Sequence, residues 1–155
     1  MEYILTKKDK QLVRLVEKII KKWKKNLQID PLWHIEVVIV DDEEMEGAIA
    51  RVNSSSSEYF TASIEITNGL LYLPEDKFLS TIDDFVCHEL VHLVSIDFYR
   101  TALLAVGENH TLAKELKYRY EQFTSRLQKA FVEMEKQVVK SKEQPLKLIE
   151  EKEEE

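Results

Sequence analysis

The chain of 155 residues is 44% hydrophobic and 33% charged, and its formal net charge at pH 7 is -7. Its length suits a single globular domain with a substantial core. The negative charge argues against a nucleic-acid-binding protein, which would present a basic face to the phosphates. No apolar run is long enough for a membrane span. The single cysteine, Cys87, excludes an internal disulfide and favours a reducing, cytoplasmic location.

The distribution of charge predicts one domain and a tail. We assign residues 1–140 to the domain. Residues 141–155, in which Lys and Glu surround Pro145, are predicted to be a charged, flexible C-terminal tail. Abundant Lys and Glu, together with only 3 glycines, suggest a thermophilic source.

The N-terminal part of the chain predicts a helix followed by a strand. Thr6 is suited to cap a helix that extends to about Leu27, with apolar residues at helical spacing on one face and lysines on the other. We interpret it as a packing helix rather than a membrane-surface helix, because the chain as a whole is acidic. Asp30-Pro31 ends the helix. The β-branched run from Trp33 to Val40 then predicts a strand.

The middle of the chain predicts further short strands. Ala48 to Val52 forms one, and the polar residues Asn53 to Ser57 form a flexible loop. Tyr59 to Ile66 alternates between polar and apolar residues, which predicts a second strand. Leu70 to Leu73 is a candidate for another short strand before Pro74.

A His-Glu-x-x-His motif lies in an apolar helix predicted from about Lys77 to Ile96. Four residues make about one helical turn, so His88 and His92 project from the same face and can bind one zinc ion. Glu89 is placed to reach a water molecule at that metal rather than the metal itself. Chance is a poor explanation, since ionisable residues are costly to bury in an apolar helix without partners.

The last long helix is predicted to begin at about His110, with Thr111 as its N-cap. Its apolar residues follow a heptad-like stripe, which could also form a homo-oligomer contact. The stripe consists of Leu112, Leu116, Tyr120, Phe123, Leu127, Ala130, Met134 and Val138.

The motif helix resembles the active-site helix of zincin metallopeptidases, and its compact form resembles the minimal gluzincins. That resemblance implies a third zinc ligand from a glutamate on a later helix. It also implies that the strand Thr61 to Ile66 forms the edge of the sheet and pairs with extended substrate, whereas the residues themselves fit an internal strand without a ligand equally well. Metzincins match poorly, because the chain has Ser95 and Phe98 where they have Gly and His. In the SprT-like proteases the third ligand is a histidine, which here would be His110.

A catalytic zinc needs three protein ligands and an open position. The segment around Glu121 looks like the glutamate segment of small gluzincins, with Thr124 in place, so we expect Glu121 to be the third ligand. It lies about 135° from the centre of the apolar stripe, at about 100° per residue. Glu108, Glu115 and His110 therefore stay as alternatives.

Together these observations predict an α+β fold with an N-terminal helix, a short mixed sheet, the motif helix and a long C-terminal helix. The expected function is that of a zinc-dependent metallopeptidase, which hydrolyses peptide bonds of a peptide or protein substrate with zinc-activated water and Glu89 as general base. The alternatives are a SprT-like zinc protease and a non-catalytic zincin-like interaction module. We expect no nucleic-acid and no membrane partner.

Overall fold

The computed structural model describes residues 5–29, 31–56 and 60–153, with side chains outside 54–56, 75 and 140–153. The chain has an α+β fold, in the predicted order of elements. No helix in these ranges has the length and apolarity needed to cross a membrane. The elements are α1 (Lys7–Asn26), β1 (His34–Val40), β2 (Ala50–Ser56), β3 (Thr61–Thr67), a 3-10 helix (Asn68–Tyr72), α2 (Glu75–Val106) and α3 (His110–Glu153).

The three strands form a mixed sheet in the order β1-β3-β2, with β1 parallel and β2 antiparallel to β3. The expectation that Thr61 to Ile66 forms the edge of the sheet is therefore wrong, since β3 is the central strand. Its alternate residues Ala62, Ile64 and Ile66 are buried, as is typical of a strand that covers the core. An edge is instead provided by β2.

Strand β2 is longer than predicted. It continues to Ser56 through residues that the sequence assigned to a flexible loop, and Ser56 pairs with Thr61 after an irregularity that begins at Asn53. The polar side chains of residues 53–56 wrongly indicated a loop. An antiparallel partner can stabilise a strand through backbone hydrogen bonds even when the side chains of the strand are polar. Ser57 and Tyr59, which the predictions included in a loop and a strand, lie outside the described residues.

The apolar face of the sheet is covered by α1 and α2, which form one core with it. Helix α1 begins at the predicted cap: Thr6 Oγ1 accepts from the Asp9 backbone N–H (3.2 Å), and Asp9 Oδ2 accepts from the Thr6 N–H (2.7 Å). Trp23 is fully buried at the centre of the α1 face. Asp30, assigned to the break after this helix, lies outside the described residues.

Three helices meet at one polar contact. Lys22 Nζ on α1 donates to Asp83 Oδ1 on α2 (2.8 Å) and lies 3.0 Å from Glu135 Oε2 on α3. Trp23 Nε1 also donates to Asp83 Oδ1 (3.1 Å). Burial alone would lower the pKa of Lys22, but the hydrogen bonds and charges of the two carboxylates outweigh it and raise the pKa. The contact fixes how α2 and α3 lie against α1.

Helix α2 extends beyond both ends of its prediction. Leu70 to Leu73 is not a strand: residues 68–72 form the 3-10 helix, capped by Thr67 Oγ1, which accepts from the Gly69 N–H (3.0 Å). The link predicted after Ile96 is helical as far as Val106, where Gly107 adopts φ +61° and ends the helix.

Helix α3 starts at the predicted residue, but its cap is Asn109, whose Oδ1 accepts from the Leu112 N–H (3.1 Å), and not Thr111. It continues to Glu153 through most of the residues predicted as a tail, since Lys and Glu are good helix formers. The last two residues of the predicted tail lie outside the described residues.

Candidate metal centre

His88 and His92 lie on one face of α2, one helical turn apart, as their spacing predicts. Their rings are in edge contact with centroids 4.8 Å apart, and their Nε2 atoms are only 3.1 Å apart. Apolar residues on the other faces, including Val86 and Leu90, are fully buried and hold the helix in the core. The two imidazoles therefore point the same nitrogen at one place.

Glu121 on α3 completes this group. Its Oε2 lies 3.4 Å from His92 Nε2 and 3.7 Å from His88 Nε2. The three donor atoms lie within 4.8 Å of one another, so the group can hold a metal ion. The predicted third ligand is thus brought to the histidine pair.

The position of Glu121 depends on which face of α3 packs against α2. The buried face is centred near Thr124, and it is rotated by about 75° from the predicted apolar stripe. Glu121 consequently lies about 60° from the centre of the buried face, at its margin. On the stripe itself, Tyr120 is buried and Leu127 packs against the core, but Leu112, Phe123 and Met134 are exposed, so the heptad-like stripe coincides only in part with the packed face.

A glutamine on α3 fixes the proton of His88. Gln128 donates its Nε2–H to the backbone carbonyl oxygen of Asp84 (2.9 Å), which turns its Oε1 towards His88 Nδ1 (3.3 Å). A carbonyl oxygen only accepts, so His88 donates its Nδ1–H to Gln128, and in the tautomer with this single proton the lone pair lies on Nε2.

His92 has a hydroxyl partner, Thr124, whose Oγ1 lies 3.4 Å from His92 Nδ1 and can either accept or donate a proton there. Burial lowers the pKa of His92, so its imidazole is neutral near pH 7. When Thr124 accepts from Nδ1–H, the lone pair of His92 on Nε2 faces His88 Nε2 and the carboxylate of Glu121. In that tautomer a cation between the three donor atoms would stabilise their convergence.

Glu89 lies beside this group but takes no part in it. Its side chain is buried, and its Oε2 accepts a hydrogen bond from the backbone N–H of Val52 on β2 (2.7 Å). Burial raises the pKa of Glu89, while the charge of His88 and the Val52 hydrogen bond act in the opposite direction. The carboxyl group is therefore held in place by β2 and has a proton affinity above that of an exposed glutamate.

The group faces a cleft of about 1210 Å³ between α2, α3 and the edge strand. Residues 47–52, from the end of the β1–β2 connection and the start of β2, form one wall. Lining residues outside the metal-binding group include Asp84, Tyr99 and Lys117. The cleft is large enough for a small-molecule or peptide ligand.

The other candidate ligands lie elsewhere. Glu115 is exposed and its Oε1 accepts from Arg119 Nε (2.7 Å). Glu108 and His110 are exposed at the start of α3, and neither lines the cleft. His110 precedes Glu121 by about 16 Å along the helix axis, at about 1.5 Å per residue. None of the three can join the histidine pair without rearrangement of α3.

The tyrosines near the site differ in role. Tyr120 is buried, donates its hydroxyl to the His92 carbonyl oxygen (3.0 Å) and stacks on Tyr99 (4.3 Å between centroids), so it ties α3 to α2. Tyr118 is exposed. Cys87 is buried on a different face of α2, about 100° from His88, and burial raises the pKa of its thiol to about 12. It is a packing residue.

The sequence analysis did not identify two groups that contact the site residues, the Gln128 side chain and the Val52 backbone N–H. Gln128 shares one face of α3 with Glu121 and Thr124, at spacings of seven and four residues, and this polar face opposite the two histidines is a signal that could have revealed it. The Val52 N–H gives no such signal, because its contact depends on how β2 lies against α2.

Comparison of the chain with protein-family models, with curated proteins and with solved structures found no match.

Proposed function

We propose that the protein is a zinc-dependent metallopeptidase of gluzincin type, with His88, His92 and Glu121 as the metal ligands. The observation that carries the proposal is the convergence of two imidazole Nε2 atoms and one carboxylate oxygen at mutual distances of 3.1, 3.4 and 3.7 Å. Two histidines and one glutamate, with a position left for water, are the ligand set of catalytic zinc sites.

The distances suit zinc in particular. Tetrahedral zinc with Zn–N distances of 2.0–2.1 Å has its ligand atoms about 3.4 Å apart. The separations between the three donors lie close to this value, and they differ by only a few tenths of an ångström. Nitrogen donors also favour zinc over magnesium or calcium, which prefer oxygen.

The side chains around the ligands support hydrolysis. Zinc held there would act as a Lewis acid on a carbonyl oxygen and on water. Glu89 would accept a proton from the attacking water and pass it to the nitrogen of the departing amine, as a general base and then a general acid. Its raised pKa suits both steps, and its hydrogen bond from Val52 orients the carboxyl group beforehand.

The edge strand supports a peptide as the substrate. Residues Ala50–Val52 of β2 line the cleft, and β2 lies at the edge of the sheet. An extended peptide can add to a sheet edge through main-chain hydrogen bonds, which places its carbonyl groups at regular intervals along the cleft. The role that the resemblance implied for Thr61 to Ile66 would thus be taken by β2.

The test uses a quenched fluorescent peptide library and zinc-loaded protein. We expect hydrolysis that a chelator abolishes and that added zinc restores. Glu89→Gln should lower kcat by at least about 100-fold, the contribution of general base catalysis, while the variant still binds zinc. Glu108→Gln, which changes an exposed glutamate outside the cleft, is the matched control. A Glu89→Gln variant with undiminished kcat would contradict the mechanism.

A further inference from the structure

Besides the proposed metal ligands and Glu89, the described residues that line the cleft include one cation and one anion that form no ion pair. Lys117 lines it from α3 and Asp84 lines it from α2. Neither side chain makes a hydrogen bond or ion pair in the part of the chain that the structure describes. The remaining cation in the lining, Arg51, is paired with Glu65 on the neighbouring strand, so its charge is already compensated.

The two charges lie at opposite ends of the cleft because α2 and α3 run antiparallel. His88 contacts Gln128, His92 contacts Thr124, and Tyr99 stacks on Tyr120, so residue numbers rise along α2 as they fall along α3. The α2 residues before His88 therefore lie at one end of the cleft, and the α3 residues before Glu121 lie at the other.

Each charge is one helical turn from the metal-binding group. Asp84 precedes His88 by four residues, and Lys117 precedes Glu121 by four, which is about 6 Å along each helix axis. An extended peptide advances about 3.3 Å per residue. A peptide bound along these helix axes would therefore meet each charge about two residues from the carbonyl group that lies over the candidate metal site.

We propose that Lys117 and Asp84 select peptides by charge. The preferred substrate carries a carboxylate about two residues to one side of the scissile bond and a cationic group about two residues to the other side. This inference rests on the proposed function for the position of the scissile bond. A peptide that carries both charges would bind in one direction, because the reversed peptide would bring each charged group to a residue of the same sign.

The experiment measures peptide binding, so its result does not depend on whether the protein cleaves peptide bonds. Zinc-loaded Glu89→Gln protein is titrated into fluorescently labelled, otherwise neutral heptapeptides. One Glu is moved through each position in turn, with Gln at the same position as the reference. A second series moves one Lys against Gln. Free and amidated C-termini distinguish an acidic side chain from a terminal carboxylate.

We expect one position at which Glu binds about two- to fivefold more tightly than Gln, the range of an exposed ion pair. That advantage should shrink as salt is raised. It should disappear in Lys117→Ala and reverse in Lys117→Glu. Lys114→Glu, on the same helix outside the cleft, makes the same change in net charge and should leave the preference intact.

The Lys series provides the complementary result. We expect a preference for Lys on the other side of the peptide, lost in Asp84→Asn and kept in Asp97→Asn, a matched change on α2 outside the cleft. Equal affinity for the charged and neutral peptides, preferences that survive these substitutions, or no binding of any peptide would each overturn the inference. Charge-selective binding without hydrolysis by the wild-type protein would overturn the proposed function and leave the charge selection standing.

Discussion

Gln128 offers a sharp test of how α3 prepares the proposed metal site. In Gln128→Ala, His88 loses the acceptor that holds its Nδ1 proton, and the carbonyl oxygen of Asp84 loses a donor. The imidazole is then free to rotate and to place its proton on Nε2, where the metal should bind. We expect weaker metal binding with little change in fold, since Gln128 lies at the half-exposed rim of the cleft.

The expected size follows from the contact. Partners of metal-binding histidines contribute about 10–100-fold to metal affinity. The Gln128 contact is neutral and, at 3.3 Å, longer than an ideal hydrogen bond, which favours the lower end of that range. We therefore expect a zinc Kd about tenfold higher, equal to about 1.4 kcal/mol.

Competition against a chromophoric zinc chelator would measure this Kd. Gln128→Glu should bind zinc at least as tightly as the wild type, because a carboxylate accepts more strongly from Nδ1–H. Gln122→Ala, which changes an exposed residue of α3 that donates to the hydroxyl of Tyr118, is the matched control. If Gln128→Ala and Gln122→Ala bound zinc as tightly as the wild type, the argument that Gln128 orients His88 would be refuted.

Three further results are expected. Thr124→Val keeps the shape of a fully buried side chain but removes the oxygen near His92. It should weaken zinc binding and lower the free energy of unfolding by about 1–3 kcal/mol, measured by urea denaturation. An unchanged free energy of unfolding would contradict the contact between Thr124 and His92. Ile64→Ala should cost about 2–5 kcal/mol in the same assay, against less than about 0.5 kcal/mol for the exposed Leu104→Ala, and equal losses would contradict the assigned core. Cys87 should react with a thiol reagent only on unfolding, because with a pKa of about 12 roughly one in 10⁴ thiols is ionised at pH 8; rapid labelling of the native protein would contradict its burial.

What could be predicted from the sequence was largely local. The spacing of His88, Glu89 and His92 within an apolar run defines both a helix and its polar face, so their relative positions follow from helix geometry. The cap at Thr6 is equally local, since its partner Asp9 lies in the same turn. Such features need no knowledge of the rest of the fold.

The orientation of α3 was beyond such reasoning. Its apolar residues predict a packed face, but Leu112, Phe123 and Met134 on that face are exposed. The face of α3 that packs against α2 includes Thr124 and Gln128. Their polar groups are tolerated there because Thr124 contacts His92 Nδ1 and Gln128 donates to the Asp84 carbonyl oxygen. The choice of Glu121 as third ligand was based on resemblance, and helical periodicity argued against it.

The sheet order was likewise a non-local matter. Strand β3 follows β2 in the chain and pairs with it, as neighbours often do, but β3 also pairs with β1 on its other side. Alternation of residues predicts that Thr61 to Ile66 forms a strand and says nothing about which strands flank it. The edge at the cleft therefore had to be found from the structure.

Zinc content and affinity are the most direct test of the central claim, that His88, His92 and Glu121 hold one zinc ion. We expect about one zinc per chain in the wild type and in Glu89→Gln. Glu121→Ala should weaken zinc binding by more than about 10–100-fold, which is the loss expected when a hydrogen-bond partner of a metal ligand is removed. Glu115→Ala, which removes an exposed glutamate from the same helix, should bind zinc like the wild type. A wild-type protein without zinc after reconstitution, or a Glu121→Ala variant with wild-type affinity, would contradict the account.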